Sequence, residues 1–226
     1  MRKKNMKNIY AIIDTETANG LFNPLVYDVS VIIFDKKNNE YFRKNWLISE
    51  VWQNPELMNS AYYAWKMPLY ENFETTKVNM FSFICEFVNI MNEYKVTHIL
   101  AYNLNFDIKA LNNTSMKYIQ GEFIPETLQK LDVWSMACEI ICNTKKYKNF
   151  CEEKNYKSDK GNYKTSAEVV YRYMTNDDNF DESHTSMKDC EIEKEIFFKC
   201  LKQKKAYKKG IVHNPWMKVN KKKGDK

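Results

Sequence analysis

Residues 9–16, Ile-Tyr-Ala-Ile-Ile-Asp-Thr-Glu, place five apolar positions directly in front of two carboxylates that stand two residues apart. A short apolar run closed by an acid reads as a strand buried inside a sheet. In an extended chain, residues two apart point to the same face. Asp14 and Glu16 can therefore meet one cation at the sheet's edge. The spacing alone is not distinctive, because Asp189-Cys190-Glu191 repeats it. Position directly behind a buried strand is what sets the first pair apart.

Further strands and a helical cover are written into the rest of the chain. Residues 26–34 form a second, longer β-rich run, residues 35–39 carry turn chemistry, and residues 41–48 alternate in part as a third strand. Short connections make these three a meander. Asn54-Pro55 opens a helix expected to run to about residue 65, with Pro68 just beyond it. Over residues 78–94 the spacing predicts a helix whose stripe of Phe81, Ile84, Cys85, Val88 and Met91 faces the core. Residues 98–101 read as a buried strand, 106–118 as a helix, 130–134 as a last short strand and 135–142 as a brief helix. Residues 143–165 are rich in lysine and tyrosine without an apolar period, and are expected to be a loop or surface insertion. A short helix over 166–174 precedes the strongest one, 185–202, where Met187, Cys190, Phe197 and Leu201 share one side. This order implies an α/β sheet covered by helices.

A chain of 226 residues with 44% hydrophobic positions fits one domain, with a core over about 8–203 and a basic tail over about 204–226. Net charge is +6, and the basic residues gather at the start (Arg2, Lys3, Lys4, Lys7), in 145–164 and in 199–226. Such clusters suit a polyanionic partner. No apolar run approaches the roughly 20 residues of a membrane span, and residues 9–13 are too short for a signal segment. The six cysteines form no C-x-x-C pair. Most read as small buried hydrophobes, and Cys138, Cys142 and Cys151 have the wrong spacing for a zinc knuckle. A cytoplasmic, reduced setting follows as the expectation.

Two more acidic features stand at comparable places. Asn103-Leu104-Asn105-Phe106-Asp107 follows the strand 98–101, which puts Asp107 just inside a helix start, where the macrodipole favours an anion or an anion-bound metal. His184 and Asp189 bracket the start of the last helix, after a capping stretch Asp181-Glu182-Ser183. Taken singly, each is an ordinary helix acid or a surface histidine.

Taken together, the sequence DTET, N-x-x-F-D in mid-chain and H-x-x-x-x-D at the last helix resembles the three motifs of the DEDDh (DnaQ-like) exonuclease superfamily. That superfamily includes the proofreading subunit of bacterial polymerase III, RNase T and oligoribonuclease. The resemblance covers residues 9–201, with three departures away from the acids. Ala18-Asn19 push Gly20 one place further on, Tyr102 stands where a His often precedes the Asn, and Ser186 stands where Ala is common.

The resemblance implies a ribonuclease H-like fold. Its central mixed five-stranded sheet combines an antiparallel three-strand meander with parallel strands, flanked by helices. It further implies a metal-dependent 3′–5′ exonuclease acting on single-stranded DNA, or alternatively RNA, with a possible polymerase or other replication partner. Two divalent cations, Mg²⁺ or Mn²⁺, are the implied cofactors, and hard ions of this kind prefer oxygen ligands. Asp14 would bridge both, Glu16 and Asp189 would complete one, and Asp107 would hold the second. His184 would serve as general base, a role suited to a group that titrates near neutrality. Thr17, Asn103 and Phe106 are the implied substrate contacts, and Tyr147, Tyr156 and Tyr163 could extend a single-strand track. A basic nucleic-acid-binding or interaction module that keeps the fold without hydrolysis is the competing reading. All five catalytic positions being filled favours the enzyme.

Overall fold

The computed structural model describes residues 8–62, 68, 70, 75–123 and 127–221. Among the described residues six strands form one sheet in the order β4-β3-β2-β1-β5-β6. β1 (Ile9–Ala18), β2 (Leu25–Asp35) and β3 (Glu40–Ile48) are the antiparallel meander, while β5 (His98–Ala101) runs parallel to β1 and β6 (Gln129–Asp132) parallel to β5. The sixth strand is β4 (Thr76–Val78), which pairs parallel with the end of β3. Three residues are too few to leave a periodic signal, which is why sequence alone yields five strands.

β1 and β2 sit in the middle of the sheet and are covered on both faces, so their sequences are apolar almost throughout. On one face Tyr10, Ile12, Ile32 and Phe34 pack against α5 (Val133–Ala137), a π-helical turn (Cys138–Cys142), α7 (Ala167–Thr175) and α8 (Ser186–Lys202). On the other, Ala11, Ile13, Val31 and Ile33 pack against α3 (Met80–Glu93) and α4 (Leu104–Tyr118). Two short helices, α1 (Ser49–Trp52) and α2 (Pro55–Met58), follow β3. The helix expected over 54–65 is only the four-residue α2: residues 59–62 are turns and irregular backbone, and residues 63–65 lie outside the described residues. No described helix is long and apolar enough to cross a membrane.

Three expectations need correction. α3 buries Met80, Phe83, Phe87, Ile90 and Met91, and leaves Phe81 and Cys85 exposed. Two neighbouring rows of that helix are apolar, and the sequence stripe picked the outer one. Residues 143–165 are not a plain loop. Thr144 caps α6 (Lys145–Glu153) through Tyr147 N–H at 3.2 Å, and Tyr147 and Cys151, one turn apart, enter the core. Tyr147 is thus a core residue rather than part of a strand track, and Tyr156 and Tyr163 pack partly against the same core.

The third correction concerns the basic tail. Gly210 N–H donates to Lys130 O at 3.0 Å along the free edge of β6. Lys208 N–H donates to Glu139 Oε2 at 2.9 Å, and Lys218 pairs with the same carboxylate. α9 (Trp216–Asn220) then buries Val219, while Asn220 Oδ1 accepts Tyr163 N–H at 2.7 Å. The segment covers a sheet edge, the usual remedy for unpaired strand groups. Cys138, Cys142, Cys151 and Cys200 are buried in one cluster, and burial pushes Cys200 up to about 12 and Cys151 up to about 11. Among the described residues these thiols form no metal-binding group.

Candidate active site

The site grows out of the alternation of β1. Tyr10 and Ile12 face the α8 layer, whereas Ala11 and Ile13 face α3 and α4. Continuing that period puts Asp14 and Glu16 on the α8 side and Thr15 on the α4 side. A register shift between Glu16 and Thr17 then breaks the alternation.

On the α8 side, Glu16, His184 and Asp189 each offer one ligand atom, and these atoms all lie within 4.8 Å of one another. Glu16 and Asp189 are buried, while His184 keeps 25% of its side chain exposed. His184 reaches this position with φ of 49°, a left-handed conformation uncommon outside glycine. Its Nδ1 stands 3.6 Å from Glu182 Oε2.

The N-terminus of α8, which carries both His184 and Asp189, is fastened from the sheet. Thr185 at the N-cap makes no side-chain capping bond. Instead Ser186 N–H donates to Asp28 Oδ2 at 3.0 Å and Ser186 Oγ to Asp28 Oδ1 at 2.7 Å. Tyr70 OH donates to Oδ2 at 2.6 Å, and Asn45 Nδ2 donates to Oδ1. Burial raises the Asp28 carboxyl, and these four donors pull it back. Asp28 lies opposite Glu16 in the β1–β2 register, so the anchor and the site share one stretch of sheet.

On the α4 side, Asp107 occupies the first turn and is buried. Thr15 Oγ1 donates to Asp107 Oδ1 at 2.9 Å. Burial pushes Asp107 up to about 8, against the pull of the Thr15 hydroxyl and of backbone N–H groups. The corner between β5 and α4 is itself held by two buried acids. Asp132 accepts Asn103 N–H at 3.2 Å and Trp134 N–H at 3.0 Å, and so caps α5 as well. Burial raises its carboxyl to about 6. Glu193 Oε2 accepts Tyr102 N–H at 2.9 Å.

Glu193 is a residue that sequence reasoning missed. It is 3% exposed and sits one helical turn beyond Asp189. Its carboxyl is raised well above the usual range, by burial first and then by Asp107 and Asp189. Asp14, partly open to the cleft, is likewise raised well above it, by burial and then by Glu193, Asp189, Asp107 and Glu16 in that order. The signal in the sequence was the four-residue step from Asp189, which places both acids on one face. Asp28 gave no such signal, because it interrupts an otherwise apolar run.

Five carboxylates crowded in this way repel one another, and a divalent cation offsets that repulsion. Their oxygens suit a hard cation, and the imidazole nitrogen of His184 adds one softer donor. Of the expected substrate contacts, Thr17 and Phe106 are partly exposed and Asn103 is exposed. Asn103 takes a left-handed φ of 72° at the start of α4, and among the described residues Phe106 joins none of the core clusters. The loop between β1 and β2 adds an apolar tip, Leu21 at 76% and Phe22 at 97% exposure. A groove of about 660 Å³ between β3 and the start of α8 touches Ser183 and Thr185 but none of the acids of the site. Its Arg43 and Lys188 are both paired with Glu191.

No family model and no curated protein sequence matches this chain. Solved structures do match it in fold. Cell-death related nuclease 4 superposes with a TM-score of 0.58 at 11% identity, over 90% of this chain and 66% of that one. E. coli exonuclease I in complex with a dT13 oligonucleotide gives a TM-score of 0.54 at 15% identity, over 86% of this chain and 41% of the enzyme. A complex of exonuclease I with SSB-Ct gives 0.57 at 13% identity, over 87% and 41%. The chain therefore spans two fifths of exonuclease I and about two thirds of the first nuclease, and it shares their fold: a mixed sheet flanked by helices.

Proposed function

We propose that this chain is a divalent-cation-dependent 3′–5′ exonuclease of the DEDDh kind, acting on single-stranded nucleic acid with DNA favoured over RNA. The observation that carries the reading is the meeting of Glu16, His184 and Asp189 from two distant elements within 4.8 Å, beside Asp14. A fold shared with two nucleases supports it.

Asp14, Glu16, Asp107 and Asp189 would hold the cations, Mg²⁺ or Mn²⁺. When bound, two such ions supply electrostatic stabilisation to the attacking and leaving oxygens of an in-line displacement at phosphorus. The remaining work belongs to the chain. His184 accepts the proton of the attacking water, and Glu182 beside Nδ1 compensates the charge that the ring then carries. Thr15 keeps the Asp107 carboxylate turned toward β1. Asp28 fixes the start of α8, and with it the separation of His184 from Glu16. Leu21, Phe22 and Phe106 offer apolar surface on which unpaired bases can stack, a sequence-tolerant contact. Thr17 and Asn103 supply polar groups beside them.

A digest decides between this reading and that of a binding module without chemistry. Single-stranded DNA, single-stranded RNA and duplex, each labelled at the 5′ end, are incubated with Mg²⁺, Mn²⁺ or EDTA. A descending ladder that EDTA abolishes supports the exonuclease and its direction. Retention of the label on full-length strands under every metal condition, with binding intact, leaves the module.

A further inference from the structure

Asp189 and Glu193 leave α8 one turn apart, and both are buried on the helix that packs against β1. Glu193 does two things there. Its Oε2 accepts Tyr102 N–H at 2.9 Å, at the corner from which the chain enters α4 and reaches Asp107 five residues later. It is also close enough to the acids of the centre that its charge raises the Asp14 carboxyl, while Asp107 and Asp189 raise its own. The atoms gathered within 4.8 Å at Glu16, His184 and Asp189 do not include it. Glu193 is thus a nearly wholly buried acid that joins α8 to the corner before α4, beside the atoms gathered at Glu16, His184 and Asp189.

We infer that Glu193 is a positioning residue of the cation centre. It ties α8 to the corner that opens α4, and its carboxylate adds to the negative charge that Asp14 and Asp107 present. The inference rests on the proposed cation-dependent chemistry. Residues that stand behind metal ligands commonly alter affinity by roughly 10–100-fold when changed. A buried acid kept only to satisfy one backbone N–H could be a glutamine at no electrostatic cost.

Glu193→Gln separates the two roles, because the amide oxygen still accepts Tyr102 N–H while the charge is gone. Binding of Mn²⁺ is measured by calorimetry on the full chain, and melting is followed in EDTA. The expected result is a roughly tenfold or greater loss of Mn²⁺ affinity, with a metal-free melting temperature no lower than wild type. Wild-type Mn²⁺ affinity in Glu193→Gln overturns the inference. If Glu193→Gln melts early, Glu193→Asp, which keeps the charge on a shorter arm, is compared with it. Affinity kept in Glu193→Asp supports the charge role, and affinity lost equally in both overturns it. Absence of saturable Mn²⁺ binding in the wild-type chain itself would sink the cation centre as a whole. Normal wild-type binding matched by Glu193→Gln sinks only the role of Glu193.

Discussion

Thr15 Oγ1 and Asp107 Oδ1 meet at 2.9 Å across 92 residues of sequence, joining the first strand to the helix that carries the mid-chain acid. Thr15 lies between Asp14 and Glu16 but points to the opposite face, so one tripeptide serves both sides of the sheet. Thr15→Val keeps the shape and removes the donor. Loss of that bond pushes the Asp107 carboxyl further up and frees its orientation. Turnover at fixed Mg²⁺ should fall roughly 10–100-fold, while Thr15→Ser stays near wild type. Equal activity of Val and Ser variants would show that the hydroxyl is idle.

The acids also set how the metal-free protein responds to pH. Asp107 rises from 3.8 to about 8 and Asp132 from 3.8 to about 6 on folding. Between these values the folded chain holds protons that the unfolded chain has released. Stability in EDTA should therefore fall as pH climbs from about 4 to about 8, the reverse of the usual behaviour of a paired carboxylate. Asp107→Asn should flatten the upper part of that slope, from about pH 6 to 8. Melting curves at a series of pH values in EDTA test this, and a wild-type melting temperature that rises over that range contradicts it.

Asp28 is the anchor of α8, and its removal should be costly. Asp28→Ala strands Ser186 N–H and the Tyr70 hydroxyl in a buried site, while Asn45 Nδ2 keeps its bond to Ser30 Oγ. A loss of about 3 kcal/mol in denaturant unfolding is expected. Ser186→Ala leaves the backbone bond in place and should lose about 1 kcal/mol. A harmless Asp28→Ala would show that α8 is seated by its apolar face alone.

The two faces of β1 are legible because a period of two needs no knowledge of the partner strand. It puts Asp14 and Glu16 together and Thr15 opposite. Asp28 is illegible because its meaning lies 158 residues away, at Ser186. α3 misled because Phe81 and Phe83 belong to adjacent, equally apolar rows, and packing against Trp46 and Phe123 selects the second. α6 escaped notice because two core contacts, Tyr147 and Cys151, are set among lysines. Its burial is decided by the cluster it joins rather than by its own composition.

The docked tail revises what its removal would do. Truncation after Lys202 takes away Val219 from the core and Gly210 from the edge of β6. A loss of roughly 2 kcal/mol, or about 4–8 °C in melting temperature for a domain of this length, is expected. Lys204→Ser with Lys205→Ser changes charge without touching those contacts and should leave the melting temperature unchanged. If truncation is thermally silent, the strap is superficial and the segment acts through its charge alone.

His184 admits two roles, and its place among the atoms at Glu16 and Asp189 makes the choice a quantitative one. A general base passes a proton and leaves the cations to the carboxylates. A ligand shares in holding one of them. His184→Ala should lower turnover by roughly 10²–10⁴-fold if the ring is the base. Mn²⁺ affinity and melting temperature should then stay close to wild type, and the rate between about pH 6 and 8 should lose its dependence on pH. A ligand predicts something else: Mn²⁺ affinity falls together with turnover, and raising Mn²⁺ restores part of the rate. The left-handed backbone at His184 gives a third measurable outcome. His184→Gly relieves that strain and should melt no earlier than His184→Ala, whichever role the ring has. Turnover, Mn²⁺ titration and melting on one preparation of each variant separate the cases. A folded His184→Ala with full turnover removes the histidine from the chemistry and leaves a carboxylate centre that needs another base.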